Sequence, residues 1–115
     1  MTDDMSEPSN IVFLYVTAPN AETAARIARA LVEEKLAACA NIHGEMRSIY
    51  DWEGKVELKL ETPIFVKTTA AAADKARDRI IALHPHDEPC VAALPVLHQG
   101  SSAGFLAWIE AATKP

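Results

Sequence analysis

Ser48-Ile-Tyr-Asp-Trp-Glu-Gly-Lys-Val-Glu-Leu-Lys-Leu-Glu61 is the stretch whose reading decides the fold. In its middle, Trp52-Glu53-Gly54-Lys55 has the composition of a hairpin turn, with Gly54 the residue free to take a positive φ. After the turn, Val56, Leu58 and Leu60 alternate with Glu57, Lys59 and Glu61, the period of a strand with one apolar and one charged face. This return strand is predicted to run over Val56–Thr68. Pro63 interrupts it, and a proline that cannot donate to a ladder predicts a bulge or an unpaired edge there. The outgoing arm is extended from about Ala37 to Trp52.

Working outward, two helical patterns flank the hairpin. Asn20 caps a helix from Ala21 to about Leu36, with Ala24, Ile27, Ala28 and Leu31 on one face. Thr69 caps a second from Ala70 to about His84, with Ala73, Ala76, Ile80 and Leu83 inward, and Pro85 stops it. Ile11–Thr17 and Cys90–Leu97 read as the outer strands, and Ser101 or Ser102 caps a last helix with the apolar stripe Phe105, Trp108 and Ile109. Residues 1–10 read as a disordered tail ahead of a single domain over 11–115. The order is βαββαβ plus a terminal helix. It predicts an α+β, ferredoxin-like fold in which an antiparallel sheet carries its helices on one face.

A hairpin arm of about 14 residues would span about 45 Å at ~3.3 Å per residue. A domain of this size has a radius of gyration near ~13 Å. The hairpin therefore has to bend, project or lie on another subunit, and covering the open edges of such a sheet favours a closed homo-oligomer.

Composition narrows the function. Among 115 residues, 11 Lys and Arg oppose 16 Asp and Glu, a formal net charge of -5, with no basic run to hold a nucleic acid. No apolar stretch is long enough to cross a bilayer, so no membrane partner is expected. The acidic start and two distant cysteines point to a cytoplasmic protein with reduced thiols. Gly100-Ser-Ser-Ala-Gly104 has the spacing of a nucleophile elbow, but no histidine follows Ser102 to complete a triad. No phosphate loop, dinucleotide fingerprint or zinc-protease motif is present, and no enzyme is expected.

The densest polar cluster is His84-Pro-His86-Asp-Glu-Pro-Cys90. Imidazole and thiolate suit copper or zinc, so His84, His86 and Cys90 are candidate metal ligands, with Cys39 a fourth. Tyr50, Trp52, Glu61 and Lys67 lie on or beside the hairpin and are the types that line a ligand cleft or anchor an interface.

Val16-Thr-Ala-Pro-Asn20, Glu34-Lys-Leu-Ala-Ala-Cys-Ala-Asn41, Ser48–Lys55, Ile64-Phe-Val-Lys-Thr68 and Leu94-Pro-Val96, in that order, resemble the CutA family of divalent-cation tolerance proteins. The resemblance covers about residues 11–112. It implies a tight homotrimer with the hairpin engaged between subunits and a metal ion, Cu(II) or another divalent cation, as partner. It implies no organic cofactor and no catalytic activity. In better-known bacterial members a cysteine at the end of the first strand and two tandem histidines before the proline are assigned to copper. The matching positions here are Val16, Leu83 and His84, so only His84 keeps the type. The alternative to metal binding is a PII-like small-molecule sensor, or a scaffold, using the clefts between subunits.

Overall fold

A computed structural model describes residues 7–114. Its elements are β1 (Pro8–Ala18), α1 (Ala21–Glu33), β2 (Cys39–Ile42), β3 (Met46–Trp52), β4 (Lys55–Thr69), α2 (Ala70–Leu83), β5 (Val91–Leu97) and α3 (Ala103–Ala112). The sheet runs β2-β4-β1-β5, with β3 continuing β2 alongside β4, and every pair is antiparallel. Strand β4 lies between β1 and β2, and β1 lies between β4 and β5. Each βαβ unit is thus split by a strand of the other, which is the predicted α+β arrangement.

Local chemistry sets the boundaries. The Asn20 side chain accepts from Thr23 N at 2.8 Å, and the Thr69 hydroxyl accepts from Ala72 N at 3.1 Å, so both predicted caps form. Helix α1 stops at Glu33 rather than Leu36. Lys35 turns left-handed (φ 60), Leu36 N donates to Leu31 O, and Lys35 N donates to Val32 O, the two bonds of a Schellman motif. The tail expected over residues 1–10 lies partly outside the described residues. Where it is described, Pro8–Asn10 extend β1, with Pro8 paired to Leu97 at the strand end that tolerates proline.

The hairpin differs from its prediction in one respect. Pro63 does not break β4, which is continuous over 15 residues. Pro63 is buried opposite Thr17, and the irregularity falls on the facing chain, where the register slips by one between the pairs Ile42↔Ile64 and Met46↔Glu61. A residue without an N–H offers the opposite strand no donor, so that strand leaves the ladder over 43–45 and returns as β3. His43 N still reaches the Pro63 carbonyl at 2.9 Å.

Two cores flank the sheet. On one face Leu14, Val16, Ile64 and Val66 pack with Ala24, Ile27, Leu31, Ala76 and Ile80 of α1 and α2. On the other, Ile11 and Ala38 pack with Leu106 and Ile109. Helix α3 therefore covers the back of the sheet, where helices on a single face were predicted. Its buried residues are Leu106 and Ile109, while Phe105 and Trp108, both partly exposed, stack on each other at 5.9 Å. The radius of gyration is 15.4 Å and the longest dimension 52 Å, because the β3–β4 ribbon projects beyond the globule.

Candidate functional site

The ribbon has two unlike faces. One carries Ile49, Val56, Leu58 and Leu60, exposed by 70%, 77%, 58% and 47%. The other carries Tyr50 and Trp52 from β3 and Glu57, Lys59 and Glu61 from β4, and lines a pocket of about 600 Å³. The facing wall is the segment between α2 and β5, with His86, Asp87, Glu88 and Cys90, and Thr17 stands at the base. Three hairpin candidates, Tyr50, Trp52 and Glu61, thus meet His86 and Cys90 although 25 to 40 positions separate them in the chain.

His84 fixes that wall. It is buried at the end of α2, where Pro85 turns the backbone extended. Its Nδ1 accepts from His86 N at 3.1 Å and its Nε2 lies 2.8 Å from Thr17 O. The first bond requires an unprotonated Nδ1, so Nε2 carries the proton and donates to Thr17 O. Both nitrogens are engaged, so in this structure His84 holds the segment and presents no free ring donor to the pocket. Thr17 N adds a 3.4 Å bond to Cys90 O at the other end of the segment.

His86 and Cys90 open into the pocket, and both are exposed. Partial burial, then the Lys59 ammonium and the neighbouring His84, push the His86 imidazole below the usual histidine range, more than Glu61 and Asp87 raise it. The ring is therefore neutral near pH 7, the form that binds a metal. Four carboxylates, Glu57, Glu61, Asp87 and Glu88, face the single ammonium of Lys59, so the lining is negative in sum, while at His86 the Lys59 ammonium is the strongest charge.

Cys39 and Lys67 lie elsewhere. They face each other across the β2–β4 ladder, and Lys67 Nζ sits 5.6 Å from the Phe13 ring centre and 5.2 Å from that of Phe105. This cation is held by aromatic faces on the back of the sheet, under α3. The four predicted ligands are thus not gathered in one place. Among the described residues, no three His, Cys, Asp or Glu side chains are grouped closely enough to hold an ion by themselves. Glu57 and Lys59 were not among the candidates, although the alternation of β4 places them on the face of Glu61. Thr17 gave no signal, because only the loop before β5 brings it to the pocket.

The CutA1 divalent ion tolerance protein model matches residues 12–112. A divalent-cation tolerance protein CutA from Archaeoglobus fulgidus is 42% identical over 98 residues, covering 85% of this chain and 93% of the relative. One from Thermus thermophilus is 43% identical over 97 residues, covering 84% and 92%. The human protein CutA is 37% identical over 107 residues, but the chain spans only 59% of its length. The solved Thermus thermophilus structure superposes with a TM-score of 0.85 at 40% identity over 90% of this chain and 99% of that one. The structure of a stable CutA1 from a psychrotrophic Shewanella gives 0.88 at 31% identity over 95% and 100%. Relatives are described as periplasmic in one case and chloroplastic in others, and no helix among the described residues is long and apolar enough to cross a membrane. With one family model spanning nearly the whole chain and relatives agreeing in sequence and fold, this chain belongs to the CutA1 divalent ion tolerance family.

Proposed function

We propose that the protein is a non-enzymatic, homotrimeric binder of Cu(II) or another divalent cation, acting in cation tolerance from the cytoplasm. The observation that carries this reading is the division of the ribbon. Its apolar face is left uncovered, while its polar face meets His86 and Cys90 across one negative pocket. An exposed face of Ile49, Val56, Leu58 and Leu60 marks an interaction surface, and a strand of a sister copy would cover it. The number three comes from the family resemblance.

The donors fit the ion in part. A neutral imidazole at His86 and a thiol at Cys90 suit copper or zinc, and Glu61 offers an oxygen from the opposite wall. No three such side chains are grouped among the described residues, so one chain by itself leaves the coordination of a four-coordinate ion incomplete. Two separate free thiols, Cys39 and Cys90, suit a reducing compartment. Calorimetric titration with Cu(II) tests the reading: one saturable site in the micromolar range in the parent protein, lost in H86A/C90A. A parent protein without a saturable site overturns it.

A second reading, a PII-like sensor of a small molecule, is favoured by Tyr50 and Trp52, which give the same pocket aromatic walls that a bare ion does not need.

A further inference from the structure

The ribbon wall of the pocket carries its charges in a fixed order. On β4, Glu57, Lys59 and Glu61 follow one another at alternate positions, so a negative, a positive and a negative group stand about 7 Å apart at ~3.4 Å per residue. Tyr50 lies directly opposite Glu57, Trp52 lies two residues nearer the turn, and both rings line the pocket. Toward the globule, the charges of Lys59 and Glu61 both act on the His86 ring, so this pair reaches the facing wall. Among the described residues, none of these three charged groups forms an ion pair. The space is that of a small organic molecule: at about 30 Å³ for each water, an ion with six waters fills only about a third of the 600 Å³.

We propose that this pocket binds a basic α-amino acid of the arginine type, its cationic side chain at the aromatic end and its α-carbon toward the globule. The guanidinium lies flat on Trp52 and Tyr50 and pairs with Glu57, since a planar cation is drawn to an aromatic face and meets a carboxylate through two parallel N–H bonds. The α-carboxylate accepts from the Lys59 ammonium, and the α-ammonium donates to Glu61, two side chains long enough to lean over one α-carbon. An extended arginine stem covers about one step of ~7 Å along β4, the spacing from Glu57 to Lys59. The order of charges makes the choice. A simple amine has no use for Lys59, an acidic ligand meets four carboxylates, and a neutral amino acid leaves Glu57 and the two rings without a cation. A basic amino acid keeps one net positive charge, so a lining that is negative in sum attracts it. No bond in the ligand changes.

This inference rests on the small-molecule reading, and the test separates the two. The whole protein is dialysed to equilibrium, with EDTA present so that no metal ion takes part, against radiolabelled L-arginine, L-citrulline, agmatine and L-glutamate in turn. Citrulline replaces the guanidinium by a neutral group of the same shape, and agmatine lacks the α-carboxylate. The expected result is saturable retention of arginine, with citrulline and agmatine each held about tenfold less tightly, the size of one lost charge-assisted pair, and glutamate left free. E57Q removes the preference for arginine over citrulline, and K59M removes the preference over agmatine. W52A, altered at an exposed position, holds arginine about two- to fivefold less tightly, the size of one exposed cation–π contact. Citrulline, agmatine or glutamate held as tightly as arginine overturns the inference and leaves the small-molecule reading standing. None of the four retained overturns both. Arginine retention unchanged in E57Q, K59M and W52A places the ligand elsewhere on the protein, and overturns the inference as well.

Discussion

The globule and the ribbon use the same β-strand grammar with opposite results. In the globule, Leu14, Val16, Ile64 and Val66 present alternate side chains to two helices and are buried to 2% or less. In the ribbon, Val56, Leu58 and Leu60 alternate as regularly on the same strand β4, and stay 47% to 77% exposed. The propensities match; the difference is whether another layer lies above the pleat. An alternating strand states which side chains share a face, and its partner, from this chain or another, decides whether that face is dry. The candidate site sits at the seam where the ribbon leaves the globule, where charged strand positions meet a loop pinned by buried groups.

The comparison breaks most completely at the ribbon. Replacing both Val56 and Leu58 by lysine should convert the proposed assembly to single chains in sedimentation at micromolar concentration, with the far-ultraviolet spectrum of the parent kept. A double variant that still sediments as the parent assembly would show that this face is not the contact. In the globule, the completely buried Leu31→Ala should cost about 2–5 kcal/mol in denaturant unfolding, from lost apolar burial plus the cavity left behind. Leu58→Ala, which creates no cavity within one chain, should leave single-chain stability within about 0.5 kcal/mol.

The seam is sharpened by its two histidines. His84→Ala strands Thr17 O and His86 N without a partner and should lower stability by about 1–3 kcal/mol. His86→Ala should leave unfolding nearly unchanged while weakening metal binding. Equal stability losses in the two variants would contradict the division of roles drawn here. The smallest expected effect is in pH. The folded His86 has its pKa below the unfolded value, so folding favours the neutral ring. Its contribution is fully present above the usual histidine pKa and falls as pH drops through that value toward the lower folded one. Metal retention follows the same ring: binding measured between pH 8 and 5 should persist to lower pH than at an ordinary histidine, then fall as His86 takes a proton.

Much of this was legible in the residues. Asn20, Thr69, Gly54 and Pro85 mark element ends, because caps, a positive φ and proline sterics act over a few positions whatever the rest of the chain does. Alternation in Val56–Glu61 and the helical spacing of Ala24, Ile27 and Leu31 name the faces. The candidate site was legible only as two separate clusters. Nothing in the order of residues says that the hairpin bends its charged face toward the loop after α2, that Thr17 meets His84, or that Cys39 ends beside Lys67, further along β4 from the pocket.

By itself, then, the sequence determined the elements, their order and the two-faced character of the hairpin, because these follow from interactions within about four residues or from period-two and period-3.6 patterning. Three matters were left to the tertiary structure. They are the slip opposite Pro63, the side of the sheet that α3 covers, and the engagement of both His84 nitrogens, which leaves His86 and Cys90 to face the pocket. Each depends on groups more than ten residues apart, or on a buried donor finding its acceptor. Such pairings are selected by the packing of the whole chain, since each buried polar group must be satisfied by whatever partner the fold brings to it.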